Sequence, residues 1–261
     1  MVYISSVHAM PPAKGETPMP PAEHFDPDTV MGLYSKTKAR ASQIVMDMVK
    51  DGLDAVIVQP SGLIGPNDFD NTNMSEFFYE AASGKLPACV KAGYNFIDVR
   101  DAAAMIISAC KHGTSGQSYL AANKTVSMMT LAQMAAHFNN TKPVSIEVSL
   151  EAVTLAAPIA GLYYKISRQK PLFTAFAAQT LRTDSNFDIS KSVAELGLTL
   201  RPVEETVEDI IRFQQSIFRL DADDILINHQ PVRKNESSNK WMLAAGAAGA
   251  AALVLALKKR R

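Results

Sequence analysis

Short apolar runs alternate with helical periodicities along most of the chain. Val2 to Ser5 reads as a short apolar strand. Residues 10–29 hold six of the fourteen prolines together with Gly15, which predicts a loop lying over a site. Leu33, Thr37, Ala41, Ile44, Val45 and Met48 recur at the spacing of one helix face, so a helix is expected over about 30–50, with Gly52 suited to end it. Asp54 to Gln59 is almost continuously apolar, the pattern of a strand covered on both faces. It runs into Pro60-Ser-Gly-Leu-Ile-Gly-Pro66, a turn-rich loop.

The alternation continues. A helix is expected over 72–83, a strand over Asn95–Val99, and a helix from Ala102 to Cys110 with Asp101 as the acid at its start. Gln117 to Ala122 and Val144 to Val148 read as strands, and Ser127 to Phe138 as a helix. Helices are then expected over 150–168, 171–182, Asp188–Leu196 and Val203–Leu220, the last amphipathic through Val207, Ile210, Ile211 and Phe213. Alternating strands and helices with short connections define an α/β core of parallel strands. We place that core over 1–139, a smaller helix-rich substrate lobe packed against it over 140–220, and a polar linker over 221–240.

Composition narrows the class. Apolar residues make up 47% and charged residues 20%, with 26 basic residues against 26 acidic ones. A neutral chain without a basic stripe gives no reason to expect a nucleic-acid partner. The two cysteines, Cys89 and Cys110, have no metal-ligand spacing and read as core residues of a protein in a reducing compartment. Five scattered histidines offer no metal site; His8, two residues beyond Ser6, could face substrate, but the expected reading is a loop residue without a role. No basic segment precedes the first strand, so no secretory signal is expected.

The other end differs. Trp241 to Leu257 is an uncharged, Ala- and Leu-rich run closed by Lys258-Lys-Arg-Arg261. Its seventeen residues would form a helix of about 26 Å, slightly short of the roughly 30 Å hydrocarbon core. We expect a single-pass transmembrane helix, with the catalytic part on the cytoplasmic side.

The chemistry concentrates in Tyr34-Ser-Lys-Thr-Lys38 and in the Ser5-Ser6 pair that closes the first strand. Tyr34 and Lys38 are one helical turn apart, so a helix puts both on one face. An ammonium beside a phenol stabilises the phenolate, which makes the pair a proton donor and acceptor near neutral pH. A hydroxyl from Ser6 could polarise the same substrate oxygen. The Tyr–Lys spacing alone is a weak signal, and its bland reading is a half-buried tyrosine beside a solvated lysine. The closing serines, the Pro-rich loop, the following buried strand and its turn-rich end make the combination specific.

With these motifs the chain resembles the extended short-chain dehydrogenase/reductase superfamily, the NAD-dependent epimerases and dehydratases, and within it the dihydroflavonol-reductase-like group. The resemblance rests on Val2-Tyr-Ile-Ser-Ser6, Tyr34-Ser-Lys-Thr-Lys38, Gln59-Pro-Ser-Gly-Leu-Ile-Gly-Pro66, Asn95-Phe-Ile-Asp-Val-Arg-Asp101 and Asp188-Ile-Ser-Lys-Ser-Val-Ala-Glu-Leu-Gly-Leu198 with Arg201-Pro202. It implies the C-terminal part of a Rossmann-type parallel sheet with a mostly helical substrate lobe, an NAD or NADP cofactor, a small-molecule substrate and a homodimer. It further implies that Tyr34 is the general acid/base, that Lys38 supports it and bonds the nicotinamide ribose, and that Ser6 is the catalytic hydroxyl, with Ser5 as the neighbouring alternative. Pro60, Ser61 and Gly62 match the loop that meets the nicotinamide. Asp98 and Asp101 fall in a strand-to-helix segment where a structural role is expected.

No Gly-x-x-Gly-x-x-Gly run or related fingerprint occurs in these 261 residues. We therefore expect an N-terminally truncated form of the fold, with weakened dinucleotide binding. The expected chemistry is reduction of a carbonyl or oxidation of a secondary alcohol on a hydrophobic substrate. A nucleotide-sugar epimerase or dehydratase would use the same Tyr and Lys, and a non-catalytic binding or regulatory protein would account for the missing fingerprint.

Overall fold

The computed structural model describes residues 1–12, 18–70, 72–153, 180–181, 185–197 and 199–220. In chain order the described elements are β1 (Val2–Ile4), a 3-10 turn (Val7–Ala9), α1 (Leu33–Lys50), β2 (Val56–Pro60), β3 (Gly62–Ile64), α2 (Asn73–Ala82), β4 (Cys89–Val90), β5 (Gly93–Asp98) and α3 (Val99–His112). There follow β6 (Ser118–Ala121), β7 (Lys124–Ser127), α4 (Met128–Phe138), β8 (Glu147–Val148), α5 (Ser190–Leu196) and α6 (Val203–Leu220). The helices expected over 150–168 and 171–182 and the transmembrane run at 241–257 fall almost wholly outside the described residues. Among the described residues, no helix is long and apolar enough to cross a membrane.

The main sheet has the order β1-β2-β6 and is parallel throughout, with Val2 opposite Val56 and Ile57 opposite Ser118. Its apolar strands are covered on both faces, as continuous apolar runs require. Ile57 and Leu120 share a core with Ala39 and Val45 of α1, whereas Val56, Val58, Tyr119 and Ala121 pack with Ala102, Met105 and Ala109 of α3. α2, α4 and α6 pack on one another, and α6 buries Val203, Val207, Ile210 and Ile211.

The strands are not all parallel. β3 and β5 run parallel, but β7 pairs antiparallel with β5, Tyr94 lying opposite Val126. Only Ala122 and Asn123 separate β6 from β7, far too few residues for a parallel crossover. β7 does not pair with β6 but joins a second sheet, of order β3-β5-β7. β3 itself lies inside the stretch expected to be a turn-rich loop.

α1 presents a different face to the core from the one its apolar spacing suggested. Leu33 is 85% exposed, and Ile44 and Met48 are about half exposed, while Ser35, Ala39, Ser42 and Val45 are buried. The reason is close approach: Ser42 Oγ lies 2.6 Å from Ser5 Oγ, a distance that bulky side chains on this face would prevent. Cys89 is buried and its thiol is pushed up to about 11 by that burial, but Cys110, also expected in the core, is exposed on α3.

Candidate active site

Three segments meet at the C-terminal end of β1. The backbone of Ser5 continues the ladder by donating to Val58 O at 2.8 Å. Its hydroxyl pairs with that of Ser42, which donates to Lys38 O at 2.8 Å. Ser5 is thus committed to holding α1. Ser6 is extended (φ −164°, ψ 152°) and caps the 3-10 turn, its Oγ accepting from His8 N at 3.2 Å. With its oxygen engaged this way, the Ser6 hydroxyl has a proton to donate elsewhere.

Tyr34 sits in the first turn of α1 with 46% of its surface exposed. Its ring meets that of His8 edge to face, 6.2 Å between centroids and 76° between planes. Lys38, one turn further on, donates from Nζ to Ile4 O at 3.0 Å and lies 5.7 Å from the centroid of the Tyr3 ring. Ser6, His8, Tyr34 and Lys38 are therefore gathered around one strand end. Burial and then the nearby Tyr34 push the Tyr3 and Tyr94 phenols above their ordinary values, and burial lowers the His8 imidazole.

The next strand end carries Pro60, Ser61 and Gly62. Pro60 closes β2, Ser61 N donates to Ala121 O at 2.9 Å, and Ser61 Oγ is buried without a protein partner among the described residues. Gly62 is required by packing: a Cβ there would lie 2.7 Å from Phe96 Cδ1 and 3.0 Å from Asn95 O. Gln59 is fully buried beside them. Its Oε1 accepts from Ala22 N at 3.3 Å, and its Nε2 has no partner among the described residues. The periodicity reading passed over Gln59 as one more strand residue, although a glutamine in a continuous apolar run is itself a signal.

The described part of the Pro-rich loop crosses these strand ends as a strap. Ala22 is tied to Gln59, Phe25 N donates to Gln43 Oε1 at 2.9 Å, and Met19 bridges Phe187, with Met19 N donating to Asn186 O at 2.9 Å. Ligands of parallel α/β sheets bind at such strand ends. A cavity of about 350 Å³ lies beside the C-terminal end of α4, lined by Gln133, His137 and Asn140.

Asp98 and Asp101 have structural partners. Asp98 accepts from Arg100 N (2.7 Å), Arg100 Nη2 (2.6 Å) and Thr206 Oγ1 (2.9 Å), and Arg100 Nη1 continues to Asp209 Oδ2 at 2.7 Å. Asp101 accepts from Arg201 N at 2.7 Å and pairs with the Arg201 guanidinium. Together they clasp the start of α3 to α6 and the turn before it.

A serine closing one parallel strand, a Tyr-x-x-x-Lys helix behind it, and a Pro-Ser-Gly turn on the next strand define a short-chain dehydrogenase-like site. Residues 1–122 match the NAD dependent epimerase/dehydratase family. It is 27% identical over 223 residues to a Synechocystis protein called "Putative dihydroflavonol 4-reductase", covering 82% of this chain and 64% of that protein. It is 26% identical over 178 residues to sterol demethylase protein B of Methylococcus capsulatus, covering 67% of this chain and 53% of that one. The crystal structure of gox2253 superposes with a TM-score of 0.68 at 26% identity, over 84% of this chain and 66% of that one. The chain thus spans somewhat less than two thirds of the length of the curated relatives it matches.

Proposed function

We propose that this chain carries the proton-transfer half of an NAD(P)-dependent reductase acting on the carbonyl, or in reverse the secondary alcohol, of a hydrophobic small molecule. The observation that carries this reading is the convergence of Ser6, Tyr34 and Lys38 at the end of β1, His8 contacting Ser6 and Tyr34 while Lys38 is tied to Ile4 O. In reduction, the phenol of Tyr34 gives its proton to the carbonyl oxygen while the Ser6 hydroxyl donates a hydrogen bond to the same oxygen. Lys38 is held by Ile4 O on the Tyr34 face of α1, where its charge offsets the negative charge left on the phenol.

The residues present fit a nicotinamide at this point. Gln59 Nε2 and Ser61 Oγ are buried polar atoms without partners among the described residues at the end of β2. When bound, the nicotinamide supplies the hydride. Pro60, Ser61, Gly62 and Lys38 would hold it.

The test is NADH and NADPH oxidation by the full chain at millimolar cofactor against a panel of aromatic and alicyclic ketones. Turnover that disappears in Tyr34→Phe supports the reading. No turnover with any ketone would favour the non-catalytic alternative, and interconversion of sugar nucleotides the epimerase one. Two further elements belong to the same proposal. A homodimer is supported by the exposed apolar stripe Leu33, Ile44 and Met48 on α1. Membrane anchorage at 241–257, with the catalytic part cytoplasmic, is supported by the uncharged run between Trp241 and the basic tail, and carbonate extraction into the supernatant would refute it.

A further inference from the structure

Tyr34 faces a mechanical problem that its own helix does not solve. Helical side chains lean back over the preceding turn, and Tyr34 is the second residue of α1, so no such turn exists to hold it. The residue before the helix, Gly32, adds no side-chain cap (φ +88°). Support has to come from elsewhere in the fold.

It comes from His8. The His8 backbone is fixed by the 3-10 turn and by its N–H to Ser6 Oγ. Its ring stacks on that of Tyr94, 5.9 Å between centroids and 11° between planes, with Tyr94 Oη 3.3 Å from His8 Nε2. Tyr94 is only 4% exposed, meets Phe96 edge to face at 5.7 Å, and lies on β5, which is paired on both sides. The rigid strand thus supports Tyr94, Tyr94 supports His8, and the His8 ring meets Tyr34 edge to face. Burial favours the uncharged forms of both the imidazole and the Tyr94 phenol, so the shelf brings no second cation to compete with Lys38.

We propose that His8, braced by Tyr94, is a positioning residue that sets the direction of the Tyr34 ring in the proton-transfer site. The proposal rests on the reductase reading for its catalytic consequence, but the packing it describes can be read without catalysis. The probe is the full chain labelled with [13Cζ]tyrosine, the Tyr34 resonance being identified among the seven tyrosines by its loss in Tyr34→Phe.

In His8→Ala the Tyr34 signal is expected to move toward that of free tyrosine. The kcat of carbonyl reduction falls between about two- and tenfold, the range of an edge-to-face ring contact, with KM little changed. His8→Phe keeps a ring in place and returns both toward wild type. An unmoved Tyr34 signal in His8→Ala overturns the proposal, and so does a His8→Phe variant as impaired as His8→Ala. Should His8→Ala fail to fold, Tyr94→Phe decides: loss of the hydroxyl that braces His8 moves the Tyr34 signal if the proposal holds, and an unmoved signal refutes it. The spectra need neither substrate nor cofactor, so a wild-type chain without turnover would sink the reductase reading alone.

Discussion

Replacing Asp98 by alanine tests the clasp between the α/β core and α6. Asp98 is buried, and in one residue it caps α3, binds the Arg100 guanidinium and takes the Thr206 hydroxyl. Losing the cap costs about 1 kcal/mol. Leaving the Thr206 hydroxyl without this acceptor costs about 1–2 kcal/mol. Arg100 is one-third exposed and keeps Asp209, so its share is held to about 1 kcal/mol. The sum, about 3–4 kcal/mol, is a large part of a typical stability of about 5–15 kcal/mol. Urea unfolding followed by circular dichroism at pH 7 reads it directly, with Asp98→Asn expected to lose about half as much, because it keeps the shape and one acceptor.

The pH dependence of that difference has a definite sign. Burial alone would raise the Asp98 carboxyl, but the hydrogen bonds from Arg100 and Thr206 outweigh it and hold the group below the ordinary carboxylate range. A depressed folded value means that the stabilisation is present above the unfolded value, about 3.9, and is lost as pH falls through the folded one. The gap between wild type and Asp98→Ala should therefore narrow below about pH 4. A loss under about 1 kcal/mol at pH 7, or a gap that widens in acid, would refute this reading of the clasp.

Other expectations follow from single contacts. Gly62→Ala drives a methyl group into the Phe96 ring and should cost about 1–3 kcal/mol in denaturant unfolding, part of it recovered by Phe96→Leu. Ser42→Ala strands the buried Ser5 hydroxyl, lowering stability by about 1–2 kcal/mol. Ser6→Ala removes the cap of the 3-10 turn, at a cost of about 1 kcal/mol in the same unfolding assay, and should lower kcat by about 10²–10³-fold. Ile44→Asp should convert a dimer to a monomer in light scattering if the α1 stripe is the dimer contact, and a monomeric wild type would contradict the homodimer.

The sequence was most legible where one segment decides its own structure. The run from Asp54 to Gln59 could only be a buried strand, and β2 is one. The Tyr34–Lys38 spacing held because helix geometry is local. What depends on a distant partner was not legible. The buried face of α1 is set by how closely Ser42 must approach Ser5, so Leu33, Ile44 and Met48, on which the helix is recognised, end up outside while Val45 stays inside. β7 pairs with β5, on the far side of α3 and β6 in the chain, and β3 hides in residues that read as turn formers. His8 reads from the sequence as a loop residue, because its partner Tyr94 lies 86 residues away.

The most direct measurement is the single-turnover rate of carbonyl reduction by wild type and Tyr34→Phe at saturating NADPH or NADH. A positioned general acid contributes about 10²–10⁴-fold, so Tyr34→Phe should lose that much while its unfolding midpoint stays in place. A Tyr34→Phe chain that transfers hydride as fast as wild type would remove Tyr34 from the chemistry and contradict the proposed site.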